Sequence, residues 1–379
     1  FFTVGLEIRR EMKNGELSSL KKAMMPVIAA FGGVVAPALI FTAINHGSAA
    51  ASGWGIPTAT DIAFAVGILS ILGDRVPVSL KVFLTALAIA DDLIAILVVA
   101  LFYGGTINFG LLSIAFVLIA LVLLMNKLGE KRGWFYLVPA IAIWSLFYYA
   151  GIHSTMSGVV MAFLVPMAPR FSEAYFHRKR LQYIRRLNEY NGIASTSSEF
   201  PNGPQRHCLR RLSAISRDSI GMSYRLEHAL GPWVNFLIMP IFALANAGVE
   251  IPDVSYFNVF QFDQVLGSVS MGIFLGLVLG KPLGISLASF IAVKLHVGEM
   301  PAKSSWPMLI AVACLGGIGF TMSIFVDTLS FGDQTPEVMA RLRDMGKVAV
   351  LMGSLCAGIL GSVLINIIHG IESRKAVKA

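Results

Sequence analysis

Two adjacent aspartates, Asp91 and Asp92, stand near the middle of an apolar run, 78–103 (VSLKVFLTALAIADDLIAILVVALFY). A bilayer span takes about 20 apolar residues, so this run is long enough to cross. A carboxylate at that depth costs about 3 kcal/mol even on lenient insertion scales. A proton, a cation or a basic partner must neutralise the pair, and each option points to ion transport. Adjacent residues project about 100° apart on a helix. The two acids therefore cannot face one ligand together; one can bind while its neighbour pairs elsewhere.

Lys281 is the obvious partner, near the centre of the apolar run 265–293 and followed by Pro282 and Gly284. Even as a buried ion pair alone it would mark a pathway, because ionisable residues at membrane depth are rarely structural only. A third acid, Asp61, follows Thr60 in IPTATDIAFAVG (56–67), where Pro and Thr favour a broken helix. LGGIGFTMSI (315–324) is glycine-rich enough to unwind in the same way, around Gly316, Gly317, Gly319 and Thr321. Irregular backbone at this depth is tolerated where it lines a cavity or is buried in protein. Each interruption falls in the second of three apolar runs, within 24–103 and within 265–368. That is the pattern of an inverted repeat with its binding site at the interrupted spans. If the broken spans cross, like ends of half-helix dipoles meet, each worth about half a charge. Paired N-terminal ends would then need an anion, for which Asp61 is suited, and paired C-terminal ends a cation, which Lys281 could supply.

The elements that must position these residues are apolar helices. The chain is 56% hydrophobic and only 14% charged, outside the range of soluble domains. The expected fold class is an all-α polytopic membrane protein, an inverted-repeat transporter with two crossed, interrupted transmembrane helices. Spans are expected at 24–46, 56–72, 78–103, 108–126, 134–149, 151–167, 228–249, 265–293, 306–329 and 345–368, with a partial one at 1–10. The chain opens inside the apolar FFTVGL without an initiator Met. It reads as N-terminally truncated, with the first span and most of the second missing. The net charge of +8 is not a nucleic-acid signature, because it alternates from loop to loop. Segment 1–23 carries five Lys/Arg and the next loop none; segment 168–227 carries eleven and 250–264 none. By the positive-inside rule both termini and the long insert are cytoplasmic. The insert, 170–225, reads as a basic, solvated linker with a disorder-like run, NGIASTSSEFPNGP. Contact with anionic headgroups or a regulatory role is its functional alternative. Cys208, Cys314 and Cys356 imply no disulfide framework.

VGLEIRRE (4–11), PTATDIAFAVGIL (57–69), ALAIADDLIAI (86–96), GIHSTMSGVV (151–160), LEHALGPWVNFLIMPIFALANAGV (226–249), GKPLGIS (280–286) and GIGFTMSIF (317–325) together resemble the bacterial NhaA sodium/proton antiporter family. That family is itself among the transporters that define the inverted-repeat, broken-helix rule. The resemblance implies a secondary transporter of the bacterial inner membrane, not an enzyme. It would exchange Na⁺ or Li⁺ for H⁺, electrogenically and under pH control, with no cofactor. Asp92 would be the main cation ligand and proton carrier, with Asp91 beside it and paired to Lys281 in some states. Asp61 and Thr60 would sit at the crossing, and Lys281 would balance it. Glu7, Glu11, His153 and Glu227 fall where the family has residues linked to pH response. From the residues themselves, Glu7 and Glu11 also read as surface pairs with Arg9 and Arg10, His153 as a packing residue, and Glu227 as a helix-start acid. The implied partners are Na⁺, H⁺ and the lipid bilayer. A homodimer is implied as well, with its contact hairpin in the missing N-terminal region. Asp327, an extra acid in IFVDTLSF, reads as a rim residue near the outer end of its span.

Competition for buried carboxylates gives the mechanism. Desolvation disfavours the bare charge, and a hard cation prefers oxygen ligands, so the site holds protons or a sodium ion but not both. Alternating access turns that competition into exchange. An intramembrane aspartyl protease built on Asp61 and Asp92 would need a GxGD pattern, which is absent, and has no place for Lys281. A solute symporter lacks an organic-solute pocket, and a channel lacks a carbonyl-ring filter.

Overall fold

The computed structural model describes residues 1–15, 18–104, 107–130, 132–169, 171–193, 202–249, 259–260, 267–302, 304–332 and 334–378. Among these residues the chain is helical, with no strand. Lipid offers no hydrogen bonds, so an apolar backbone must satisfy itself within each span. In chain order the α-helices are α1 (Phe2–Asn14), α2 (Leu20–Ile44), α3 (Ile62–Leu72), α4 (Val78–Phe102), α5 (Phe109–Lys127), α6 (Trp134–Tyr149), α7 (Thr155–Leu164) and α8 (Glu173–Ile193). They continue with α9 (Gly203–Asp218), α10 (Met222–Trp233), α11 (Met239–Ala247), α12 (Val269–Leu275), α13 (Lys281–Lys294), α14 (Trp306–Leu315), α15 (Phe320–Ser330) and α16 (Pro336–Lys378). Six helical segments among the described residues are long and apolar enough to cross a membrane, and two bent helix pairs qualify as broken spans. The fold class is thus that of a polytopic helical transporter.

The chain divides into two compact units, 1–7 with 106–233 and 8–105 with 234–379. In the first unit α5, α6 and α7 pack around Ala115, Val122, Tyr136, Ile143, Phe147, Met161 and Leu164. The 170–225 insert belongs to this unit. Its described residues form α8 and α9, packed on each other, where the sequence reading expected a linker. Cys208 and Ile215 are the buried residues of α9, and Asn202 N–H donates to the Gln205 side chain at its start, 2.7 Å away. A helix start of this kind is compatible with Pro204 in the first turn. Most of the disorder-like run, 194–201, lies outside the described residues, as does most of the 250–264 loop.

The second unit holds both broken spans. A 3-10 helix, Ala49–Thr58, leads into α3 with a 41° bend, and α14 leads into α15 with a 52° bend. The sequence reading placed the start of the first broken span at Ile56, with GSAAASGWG as a loop. That loop is wound into the span instead, because its glycines admit aromatic rings. A methyl on Gly53 would lie 2.9 Å from Phe331 Cζ and 3.0 Å from Phe41 Cζ, and one on Gly55 would lie 2.7 Å from the Tyr103 hydroxyl.

The most extensive helix pairing in this unit joins α2 to α13. Small residues let the two backbones touch, as they do in many membrane helix pairs. A methyl on Gly32 would collide with the Gly284 carbonyl and the Ala288 methyl, and one on Gly280 would lie 2.9 Å from Pro37 Cα. Between α12 and α13 the helix loosens into a π-turn, Gly276–Gly280, ending immediately before Lys281. Gly32→Val overfills this seam and should destabilise the protein by about 1–3 kcal/mol, read as a lowered thermal midpoint in detergent.

Candidate functional site

All residues of the expected ion site lie in the second unit. Helix α4 carries Asp91 and Asp92 in a stretch, Ala86–Asp92, that is buried on every face. Continuous enclosure is what allows two acids about 100° apart to be buried together. Asp91 and Lys281 are both fully excluded from solvent. Lys281 Nζ donates to Asp91 Oδ2 at 2.5 Å and to Thr60 Oγ1 at 2.8 Å. Thr60 Oγ1 in turn donates to the Gly316 carbonyl at 2.7 Å. The cation thus reaches the C-terminal end of α14 through one hydroxyl rather than by contact with a carbonyl.

The two interruptions are hydrogen-bonded to each other. Asp61 N–H donates to Ile318 O at 2.7 Å, beside the Thr60–Gly316 bond. The Asp61 carboxylate is the N-cap of α3, where Oδ1 accepts from Phe64 N–H at 3.3 Å. Its Oδ2 accepts from Thr321 N–H at 3.1 Å and also from the Thr321 hydroxyl. A single carboxylate therefore caps the N-terminal ends of both α3 and α15, where anions are favoured. The glycines set how closely the broken span can approach its neighbours. A methyl on Gly316 would lie 2.7 Å from Ile285 Cδ1, one on Gly317 would strike the Leu277 carbonyl, and one on Gly319 would lie 3.1 Å from Ala59 O.

Asp92 differs from the other acids. It is buried, and its Oδ1 has no hydrogen-bond partner; Asp91 Oδ1 has none either. The charges that act on Asp92 are Asp91, Asp61 and Lys281. A buried carboxylate oxygen left without a donor carries its full desolvation cost. Two such oxygens on neighbouring residues, beside a Lys281 already engaged with Asp91 and Thr60, can receive a small hard cation or a proton.

The sequence model of the family described as Na⁺/H⁺ antiporter 1 matches residues 1–365. The chain belongs to this family. It is 42% identical to the Na⁺/H⁺ antiporter NhaA of Syntrophobacter fumaroxidans over 362 residues, covering 95% of this chain and 74% of that protein. It is 41% identical to the NhaA of Oleidesulfovibrio alaskensis over 377 residues, 99% of this chain and 81% of the relative. The NhaA of Acidithiobacillus ferrooxidans is 43% identical over 361 residues, 95% of this chain and 80% of its own length.

Within this family member the four pH-response candidates sit away from the broken helices in sequence. Glu11, near the end of α1, forms an ion pair with its neighbour Arg10 at 3.1 Å. Glu7 and Glu227 are half-buried on α1 and α10 of the first unit. His153 is half-buried in the turn between α6 and α7, and burial lowers its imidazole pKa. It therefore stays neutral to a more acidic pH than a free imidazole.

Two residues of the second unit were misjudged or missed from sequence. Asp327, expected at the rim, is 0% exposed, because α16 packs over it at Gly346. Ser354 of α16 escaped notice altogether. Its Oγ accepts from Gly319 N–H at 3.2 Å and Phe320 N–H at 3.0 Å, and so caps α15 alongside Asp61. A serine within the apolar run of α16 was the available signal. The Lys281–Asp91 pair predicts a double-mutant result. Lys281→Met should cost about 3–5 kcal/mol at alkaline pH by stranding Asp91, and adding Asp91→Asn should restore most of it. Thermal unfolding of the three variants in detergent checks this.

Proposed function

We propose that this chain is a secondary antiporter that exports Na⁺ or Li⁺ in exchange for H⁺, with Asp92 as the exchanged carboxylate. The observation that carries this reading is a wholly enclosed Asp92 with an orphaned oxygen, next to an Asp91 already engaged by Lys281. Membership of the Na⁺/H⁺ antiporter family supports the choice of ions.

The chemistry follows from charge balance. With a proton on Asp92 the enclosure holds a neutral acid, which low-dielectric surroundings tolerate. On deprotonation, a sodium ion can take the proton's place, with Asp92 and the free oxygen of Asp91 among its ligands. Lys281 neutralises Asp91 while the proton is bound, and it can yield part of that contact when the metal ion arrives. Asp61 and Thr60 keep the crossing intact during the exchange, with Thr321, Gly316, Gly317 and Gly319 shaping its backbone. Because the substrates are mutually exclusive, neither crosses the membrane with the other, which separates antiport from symport.

The chain is placed in a bacterial inner membrane with both termini cytoplasmic, supported by the loop-to-loop alternation of Lys and Arg. The family resemblance supports electrogenic, pH-controlled transport for sodium and pH homeostasis, a homodimeric state, and Glu7, Glu11, His153 and Glu227 as contributors to the pH response. The basic face of the 170–225 insert suits contact with anionic headgroups.

In everted membrane vesicles carrying a preformed proton gradient, added Na⁺ should release protons with the wild type and not with Asp92→Asn. Wild-type exchange by Asp92→Asn would overturn the assignment. Competition also fixes a sign. As pH falls, the apparent Michaelis constant for Na⁺ should rise, by up to about tenfold per pH unit for each competing proton.

A further inference from the structure

We propose that Asp327 is a second proton-binding site of this transporter, distinct from the exchange site at Asp92. Helix α15 starts at the crossing, and Asp327 lies eight residues past Gly319, or about 12 Å along the helix. Both its carboxyl oxygens are buried and neither has a hydrogen-bond partner. Val99, Ile324, Val326, Phe331, Leu342, Ala349 and Val350 belong to the apolar cluster of this region.

The surrounding polar groups are committed elsewhere. The Tyr103 hydroxyl, at the end of α4, donates to Ser52 O at 2.8 Å and accepts from Gly55 N–H at 3.0 Å. Ser330 Oγ donates to Val326 O at 2.7 Å. From α16, the charges that act on Asp327 are Lys347, Arg343 and Asp344. None forms a hydrogen bond with it, and Lys347 Nζ donates instead to Gly248 O at 3.0 Å. A bare carboxylate here would bear its desolvation cost with no donor to offset it. A metal ion would need about six oxygen ligands, which this enclosure does not offer. A proton removes the charge and needs no such shell.

The enclosure is shaped for the neutral form. The carboxyl lies against the bare backbone of Gly346, where a methyl would strike Oδ1 and lie 2.9 Å from Cγ. Losing the proton would place an anion between Arg343 and Lys347 of α16 and draw the carboxyl off Gly346 toward one of them. The same helix pair meets at the crossing, where Ser354 of α16 caps α15 and Thr321 of α15 holds Asp61. Proton occupancy at Asp327 therefore biases the packing that positions Asp61.

Infrared difference spectroscopy of the full-length protein in liposomes, titrated with pH and with Na⁺, tests this directly. The expected result is a protonated-carboxyl band at neutral pH that persists when Na⁺ is added and is absent from Asp327→Asn. A band that Na⁺ removes belongs to the exchange site, and no band lost in Asp327→Asn overturns the proposal. Thermal unfolding supplies a second reading. A neutral Asp327 stabilises the fold while protonated, so wild-type stability should fall as pH rises through its titration, and Asp327→Asn should flatten that fall. If Asp327→Asn instead lowers the midpoint at every pH, the residue is an ion-paired carboxylate and the proposal fails. Neither measurement depends on the identity of the transported cation.

Discussion

The structure of the second unit depends on one constraint: charge inside a low-dielectric medium must be answered locally. Breaking two helices at mid-span creates four exposed ends, two carrying partial positive charge and two partial negative. Asp61 answers the first kind by capping α3 and α15 at once. Thr60 and Lys281 answer the second kind through the Gly316 carbonyl. The residues that make the crossing possible are also those that leave Asp92 without a partner. Lys281 has two acceptors in Asp91 and Thr60, and Asp61 is occupied by donors from α15. The polar network is satisfied everywhere except around the exchange carboxylates, and this local deficit is what gives the site its affinity for small cations.

Packing keeps the deficit in place. Helix α13, which carries Lys281, is seated against α2 through backbone contact at Gly32 and Gly284, so the ammonium is delivered by a stiff pair of helices. The exchange carboxylates ride on α4, which is enclosed on all sides around Asp91 and Asp92. Between these fixed elements lie the interruptions, joined by a few hydrogen bonds rather than by interdigitated side chains. Motion that exposes Asp92 to one side and then the other has its softest point at those bonds.

The site was legible in sequence to the extent that it broke a rule. Asp91, Asp92, Asp61 and Lys281 stood out because hydrocarbon should exclude them, and PTATD and GGIG because spans should not be interrupted. What obeyed the rules stayed hidden. Ser354 is one hydroxyl in an apolar helix, and nothing local tells a serine bonded to its own helix from one reaching across to cap another. The winding of Ala49–Thr58 depended on the rings of Phe41, Phe331 and Tyr103 finding room at Gly53 and Gly55, a fact of tertiary packing. Asp327 was misjudged because distance along a helix says little about what covers it, and Gly346 on another helix does the covering. The helices of the 170–225 insert were obscured by a polar composition that also describes linkers.

The π-turn at Gly276–Gly280 has a consequence for how such a chain can change over evolutionary time. A turn of this type accommodates one residue more than a regular helix does. Deleting any one residue there would regularise the helix and swing everything beyond it by about 100°. Lys281 would turn away from Asp91, and the Gly284 face would turn away from Gly32. Residue identities inside the turn can drift provided they stay small, whereas their number cannot. The tether between cation and acid is thus a matter of counting, and the segment should tolerate substitution far better than it tolerates a change in length.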